Sequence, residues 1–227
     1  MEIIPKIHQV DGVNGNCYII VRNGLTLIDT GIPGSGAKIL SYIRNTLHRE
    51  PSVITTIILT HFHTDHIGGV RVLKEAAPGL NVAVHEADAG YVAGRMPLPR
   101  YPGFSGLLLG LFVRMRPAFF APDIILKDGD HIEGLTCIHL PGHTPGSIGL
   151  LDEESKTLFA GDLLRWDGSS LSEGPGGFSL DVPASRESIR KIASLDVDTL
   201  LIGHGKPLRP DAAAKVREFA GSLPIPG

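Results

Sequence analysis

The segment Thr60-His61-Phe62-His63-Thr64-Asp65-His66-Ile67-Gly68-Gly69 places three imidazoles and a carboxylate close together, directly after an apolar run. Burying three imidazoles and an acid without partners is costly, and a cation that engages all of them offsets that cost. A lone histidine is more often a surface residue or a satisfied core residue. Four ligand-type side chains at this spacing point instead to metal binding.

Three later positions share one pattern, an apolar run, then glycine, then a single metal-competent residue. They are His143 in Leu140-Pro141-Gly142-His143, Asp162 in Phe159-Ala160-Gly161-Asp162 and His204 in Leu201-Ile202-Gly203-His204. The strand gives a rigid support, and the glycine lets the backbone come close to a metal. His61, His63, Asp65, His66, His143, Asp162 and His204 are together too many for one closed tetrahedral site. They suit two metals sharing a carboxylate. Nitrogen and oxygen donors without thiolate fit zinc, iron or manganese. His8, His48, His85, His131 and His139 lack a clustered neighbour and are read as structural, with His85, after Val82-Ala83-Val84, the one that could face a cleft.

The elements that must position these groups are legible as periodicity. Apolar, β-branched runs predict strands over 17–21, 25–28, 53–59, 82–84, 124–126, 135–140, 147–151, 157–160 and 199–202. Helical spacing covers 37–47, 70–77, 86–93, 184–195 and 211–220, with Pro183 and Pro210 near helix starts. The histidine cluster then falls on a strand-to-helix loop, a common ligand-binding place in α/β proteins. A faint internal echo pairs His63-Thr64-Asp65-His66 with His143-Thr144-Pro145-Gly146, and Thr26-Leu27-Ile28-Asp29 with the run ending at Asp162. Two similar βα halves would pack sheet against sheet with helices outside.

The stretch from Gly94 to Pro122 differs, being rich in proline and glycine, apolar from Leu107 to Val113, and carrying Arg95, Arg100, Arg114 and Arg116 without an acid. It reads either as a lid or substrate-facing insertion within a single 1–227 domain, or as an ordinary packed helix with solvated arginines. Its apolar part is also a surface on which two chains could pair as a homodimer.

With 42% hydrophobic residues in 227, the chain can bury a core. A net charge of −3 and pI near 6.3 give no overall footprint for nucleic acid or an anionic membrane. Cys17 and Cys137 both lie in apolar runs and read as reduced thiols rather than a disulfide framework. With no secretory start and no apolar run near the ~20 residues of a membrane span, a soluble, cytoplasmic protein acting on a small molecule is expected.

The motif set resembles the metallo-β-lactamase fold superfamily. Its His-x-His-x-Asp-His signature matches His61-Phe62-His63-Thr64-Asp65-His66, its later motifs match His143, Asp162 and His204, and Asp29-Thr30-Gly31 follows an early strand. The likeness spans roughly Asn16 to Pro207. It implies an α/β fold, the four-layer αβ/βα sandwich of that superfamily. It also implies that His61, His63 and His143 hold one metal, that Asp65, His66 and His204 hold a second, and that Asp162 bridges them, with Asp29 orienting a ligand from behind. Two divalent ions follow, zinc first, with iron or manganese as alternatives.

A metal-bound hydroxide attacking an acyl carbonyl is the chemistry implied, with Asp65 or Asp162 orienting the water. The closer likeness is to hydroxyacylglutathione hydrolases of the glyoxalase II type, without their C-terminal glutathione-binding helical domain, since 23 residues follow His204. A thioester or lactone is the expected substrate, with Arg100, Arg114 and Arg116 facing it. The alternatives are a mononuclear iron persulfide dioxygenase and a phosphodiesterase or ribonuclease of the same fold.

Overall fold

Short runs of β-branched and aliphatic residues separated by glycine and proline make many short strands, and each must find a neighbour to satisfy its backbone. The computed structural model describes residues 1–99, 119–174 and 177–224. These fall into two compact units, one comprising 1–96 and 119–126, the other 97–99, 127–174 and 177–224.

The first unit is built on a seven-stranded sheet in sequence order: β1 (Glu2–Ile4), β2 (Ile7–Gln9), β3 (Tyr18–Val21), β4 (Leu25–Ile28), β5 (Ile54–Ile58), β6 (Asn81–His85) and β7 (Ile124–Leu126). Strands β1 to β4 form an antiparallel meander, and β4 to β7 run parallel. Parallel neighbours need crossover connections, and helices supply them. Helix α1 (Ser35–Asn45) links β4 to β5, α2 (Thr64–Ile67) and α3 (Val70–Ala76) link β5 to β6, and α4 (Glu86–Val92) follows β6. Helix α1 buries Ile39, Leu40 and Ile43 at i, i+1 and i+4. Burying each of these side chains contributes roughly 1.5–3 kcal/mol.

The second unit carries a five-stranded sheet ordered β14 (Thr199–Leu201), β11 (Thr157–Phe159), β10 (Ile148–Asp152), β9 (Leu135–His139) and β8 (His131–Ile132), plus a hairpin of β12 (Leu164–Trp166) and β13 (Leu171–Glu173). In this five-stranded sheet β11 and β14 pair in parallel and the other named neighbours antiparallel, and α5 (Val182–Ala193) lies between β11 and β14 in sequence. Asp181 caps α5 by accepting from the Ala184 N–H, with Pro183 in its first turn. Ile189 and Ile192 of α5, Val216 of α6 (Ala212–Ser222), and Leu158 and Leu200 of the sheet share one buried cluster.

The strands and helices expected from the sequence are present, displaced by a few residues at their ends. Present in the structure but not anticipated from the sequence are β1, β2, β8, β12 and β13, all two or three residues long. Such pieces hold too few residues to show a period. Residues 100–118, which include Arg100, Arg114, Arg116 and the Leu107 to Val113 run, lie outside the described residues. Among the described residues no helix is long and apolar enough to cross a membrane.

Candidate metal centre

In the first unit, the chain leaves β5 at Ile58 and passes through Thr60, His61, Phe62 and His63 into the one-turn helix α2, which carries Asp65 and His66. The cluster is therefore split between a loop and a helical turn. Ligand atoms of His61 and His63 lie within 4.8 Å of each other, as do those of Asp65 and His66. The ring centroids of His61 stand 4.6 Å from His63 and 4.0 Å from His66.

Asp29 orients this group. It follows β4 with φ 58°, in the left-handed region that aspartate tolerates better than most residues, and Gly31 follows at φ 69°. Its Oδ1 accepts from the Thr60 N–H at 2.8 Å, and its Oδ2 accepts from the Thr60 hydroxyl and from His66 Nδ1, each at 2.7 Å. Because the Thr60 hydroxyl donates its proton to Asp29, its oxygen receives the His61 Nδ1–H at 3.0 Å. One buried carboxylate thus keeps the proton of both His61 and His66 on Nδ1. Each Nε2 then carries the lone pair with which an imidazole would hold a cation.

The neighbouring turn is locked to the same place. The His66 carbonyl accepts from the Thr30 N–H at 2.7 Å and the Thr30 hydroxyl at 2.8 Å, and Gly68 N–H donates to the Gly31 carbonyl at 2.8 Å. A Cβ on Gly68 would collide with the backbone of Ile32 and Pro33, which explains glycine there.

In the second unit, His143 and Asp162 are buried, and His204 is half-buried. Asp162 Oδ2 lies 3.6 Å from His143 Nε2 and 3.4 Å from His204 Nε2. These are too long for good hydrogen bonds, which fall near 2.7–3.2 Å. Two ligands each about 2.0–2.2 Å from one tetrahedral cation stand ~3.3–3.6 Å apart, and both separations fit. The donor set and its spacing therefore fit a divalent metal.

Local folding explains the placement. Gly142 has φ 132°, and a Cβ there would run into the backbone of Ser185 at the start of α5, so the His143 loop can approach that helix only with glycine. His143 Nδ1 meets the Ser179 hydroxyl at 3.3 Å, and its carbonyl accepts from Leu180 N–H. The loops carrying Asp162 and His204 are joined by the Gly203 N–H to Gly161 carbonyl bond at 2.8 Å.

Of the other histidines, His85 is buried and caps α4, accepting from the Ala87 N–H on Nδ1 at 3.3 Å. His8 pairs with the Tyr42 hydroxyl, His131 with Thr136, and His139 with the Pro145 carbonyl. Sequence reasoning missed Thr60 and Ser179 as orienting groups. It also missed Asp88, a fully buried carboxylate that accepts from the Phe62 N–H at 3.0 Å.

The sequence profile described as the Metallo-beta-lactamase superfamily matches residues 10–204. The chain belongs to the metallo-β-lactamase superfamily. Among its relatives are the probable metallo-hydrolase YflN of Bacillus subtilis (strain 168), 30% identical over 234 residues, covering 91% of this chain and 86% of YflN. The hydroxyacylglutathione hydrolase GloC of Haemophilus influenzae (strain ATCC 51907 / DSM 11121 / KW20 / Rd) is 29% identical over 209 residues and 90% of both chains. The solved structure of TTHA1623 in a di-iron-bound form superposes with a TM-score of 0.67 at 28% identity, covering 96% of this chain and 98% of that one. The α/β fold implied by the histidine motifs is therefore the superfamily's own, and the family is one of metal-dependent hydrolases.

Proposed function

We propose that this metallo-β-lactamase superfamily member hydrolyses an acyl bond in a small molecule, a thioester or lactone, at a centre of two divalent metals with zinc as the first choice. The observation that carries the reading is the buried Asp162 carboxylate with two imidazole nitrogens at ligand-to-ligand spacing. In this reading His61, His63 and His143 serve one metal, Asp65, His66 and His204 the other, and Asp162 both. The likeness to GloC supports the acyl substrate, and the match to the di-iron protein supports a paired centre that accepts more than one metal.

When bound, such cations polarise a carbonyl and lower the pKa of water from ~15.7 toward about 7. The residues supply the rest. Asp29 and Thr60 hold the His61 and His66 tautomers, so no reorientation is needed as ligands engage. Asp65, about one-third exposed, and Asp162 offer carboxylate oxygens that accept a proton from the attacking water and orient it. Arg100, Arg114 and Arg116 are assigned to the acyl donor's carrier. The two buried free thiols, Cys17 and Cys137, support a cytoplasmic setting.

The test is elemental analysis of protein purified without added metal, followed by a panel of thioester, lactone and phosphodiester substrates. Two metals per chain with thioester or lactone turnover is expected, and phosphodiester turnover alone overturns the reading. One iron with oxygen uptake overturns it equally. Alanine at Arg100, Arg114 and Arg116 should raise KM for an anionic thioester more than for a neutral ester.

A further inference from the structure

Phe62 separates the two histidines His61 and His63, and α4 grips it twice. Its backbone N–H donates to Asp88 Oδ2 at 3.0 Å, and its ring stacks on Tyr91 with centroids 4.6 Å apart and planes inclined 22°. Asp88 and Tyr91 are three positions apart on α4 and so share one face of the helix. The Phe62 ring also meets His63 edge-on, centroids 5.0 Å apart. Asp88 is fully buried and Phe62 nearly so.

The sheet explains why a carboxylate stands there. The ladder between β5 and β6 ends with the Leu59 N–H donating to the Ala83 carbonyl at 3.0 Å. Beyond it, toward β4, Thr60 N–H is received by Asp29. Phe62 N–H is received by Asp88, from the helix that continues β6. Where strand carbonyls run out, one buried carboxylate from each neighbouring element takes the next donors. The chain on both sides of His61 is thereby fixed. A charge-assisted bond holds a backbone donor more firmly than a neutral one.

We infer that Asp88 is a positioning residue for the His61 and His63 ligand pair, with Tyr91 as the second jaw of the same clamp. The inference rests on the reading of these histidines as metal ligands. Asp29 fixes imidazole tautomers, whereas Asp88 and Tyr91 fix the backbone and side chain of the residue between two ligands. Loss of that restraint leaves both ligands present but less preorganised, so metal affinity falls while the fold persists.

The test titrates zinc into metal-free wild type, Asp88→Ala, Asp88→Asn and Tyr91→Ala against a chromophoric chelator, with the melting temperature of each metal-free form recorded alongside. Asp88→Ala should weaken zinc binding by about 10–100-fold, the range typical of partners behind metal ligands. Asp88→Asn keeps an oxygen that accepts from Phe62 N–H and should recover most of that loss. Should Asp88→Ala fail to fold, Tyr91→Ala, at a half-buried position, still reads the clamp and should bind zinc several-fold more weakly. Wild-type affinity in Asp88→Ala or, where that variant does not fold, in Tyr91→Ala overturns the inference. So does an Asp88→Asn variant as weak as Asp88→Ala. A wild type that takes up no zinc overturns the metal reading as well, whereas wild-type uptake with unaltered variants overturns this inference alone.

Discussion

Asp29 sets the tautomer of His61 through Thr60: the carboxylate takes the threonine hydroxyl proton at 2.7 Å, and the hydroxyl oxygen takes the His61 Nδ1–H at 3.0 Å. The same Oδ2 receives His66 Nδ1 directly at 2.7 Å. One buried acid therefore prepares two imidazoles, one by contact and one by relay. Severing the relay and removing the acid have different consequences.

Thr60→Val removes the relay while keeping the branched shape, leaving His66 with its carboxylate. His61 then loses the acceptor that keeps its proton on Nδ1. Chelator competition should show metal affinity reduced by about 10-fold or more, with Thr60→Ser near wild type. Asp29→Ala disturbs both imidazoles and also orphans the Thr60 N–H, so its loss should exceed that of Thr60→Val. A Thr60→Val protein with wild-type affinity would refute the relay.

Asp162→Ala removes the oxygen between His143 and His204, which lie 3.6 and 3.4 Å from it. In the dinuclear reading, metal content measured by elemental analysis should fall from two per chain to one or fewer. Turnover should drop by more than the ~10–100-fold typical of losing a partner behind a ligand. Undiminished turnover on the best panel substrate would contradict a bridging role.

The parts of this architecture that repeat along the chain were readable in it. The run Ile54 to Ile58 had the β-branched content of a buried strand, and Ile39, Leu40 and Ile43 had the spacing of a helix face. The three Gly-His or Gly-Asp strand ends stood out for the same local reason. Asp88 did not, because its partner Phe62 is 26 residues away and nothing near Asp88 marks it apart from an ordinary helix-start acid. Ser179, 36 residues from His143, was hidden in the same way. Placing Asp65 and His66 inside a helical turn was also beyond the pattern, since four residues with flanking glycines show no period. Ligands announce themselves by type, whereas the groups that orient them are defined by contact across the sequence.

Cys17 and Cys137 should be silent toward thiol reagents in the native protein. Burial pushes the Cys17 thiol well up, and the nearby Asp29 charge adds to it. Burial, with Asp128 and Asp130 nearby, raises Cys137 to about 12. The thiolate is the reactive form, so native protein at pH 8 should show neither thiol reacting promptly with a disulfide reagent. Both should titrate in denaturant. One fast-reacting thiol in the native state would show that its burial is not maintained in solution.

Asp123 should contribute to stability above the acid range and lose that contribution on acidification. Burial pushes its carboxyl upward, but the Lys74 ammonium at 2.7 Å and the Val82 N–H at 2.8 Å outweigh this and leave it below the usual carboxylate range. A lowered folded-state pKa means the unfolded chain takes up the proton first, so the contribution is complete above the unfolded pKa and fades as pH falls through the folded one. The pair joins α3 to the start of β7 and β6, and its side chains are about one-third exposed, so solvent limits its worth to about 1 kcal/mol or less. Asp123→Asn should therefore lower the melting temperature by a few degrees at pH 7. The gap to wild type should narrow as pH drops below about 4, where the carboxyl of the unfolded chain is largely protonated. A gap that stays constant or widens on acidification would show that Asp123 acts through packing rather than charge.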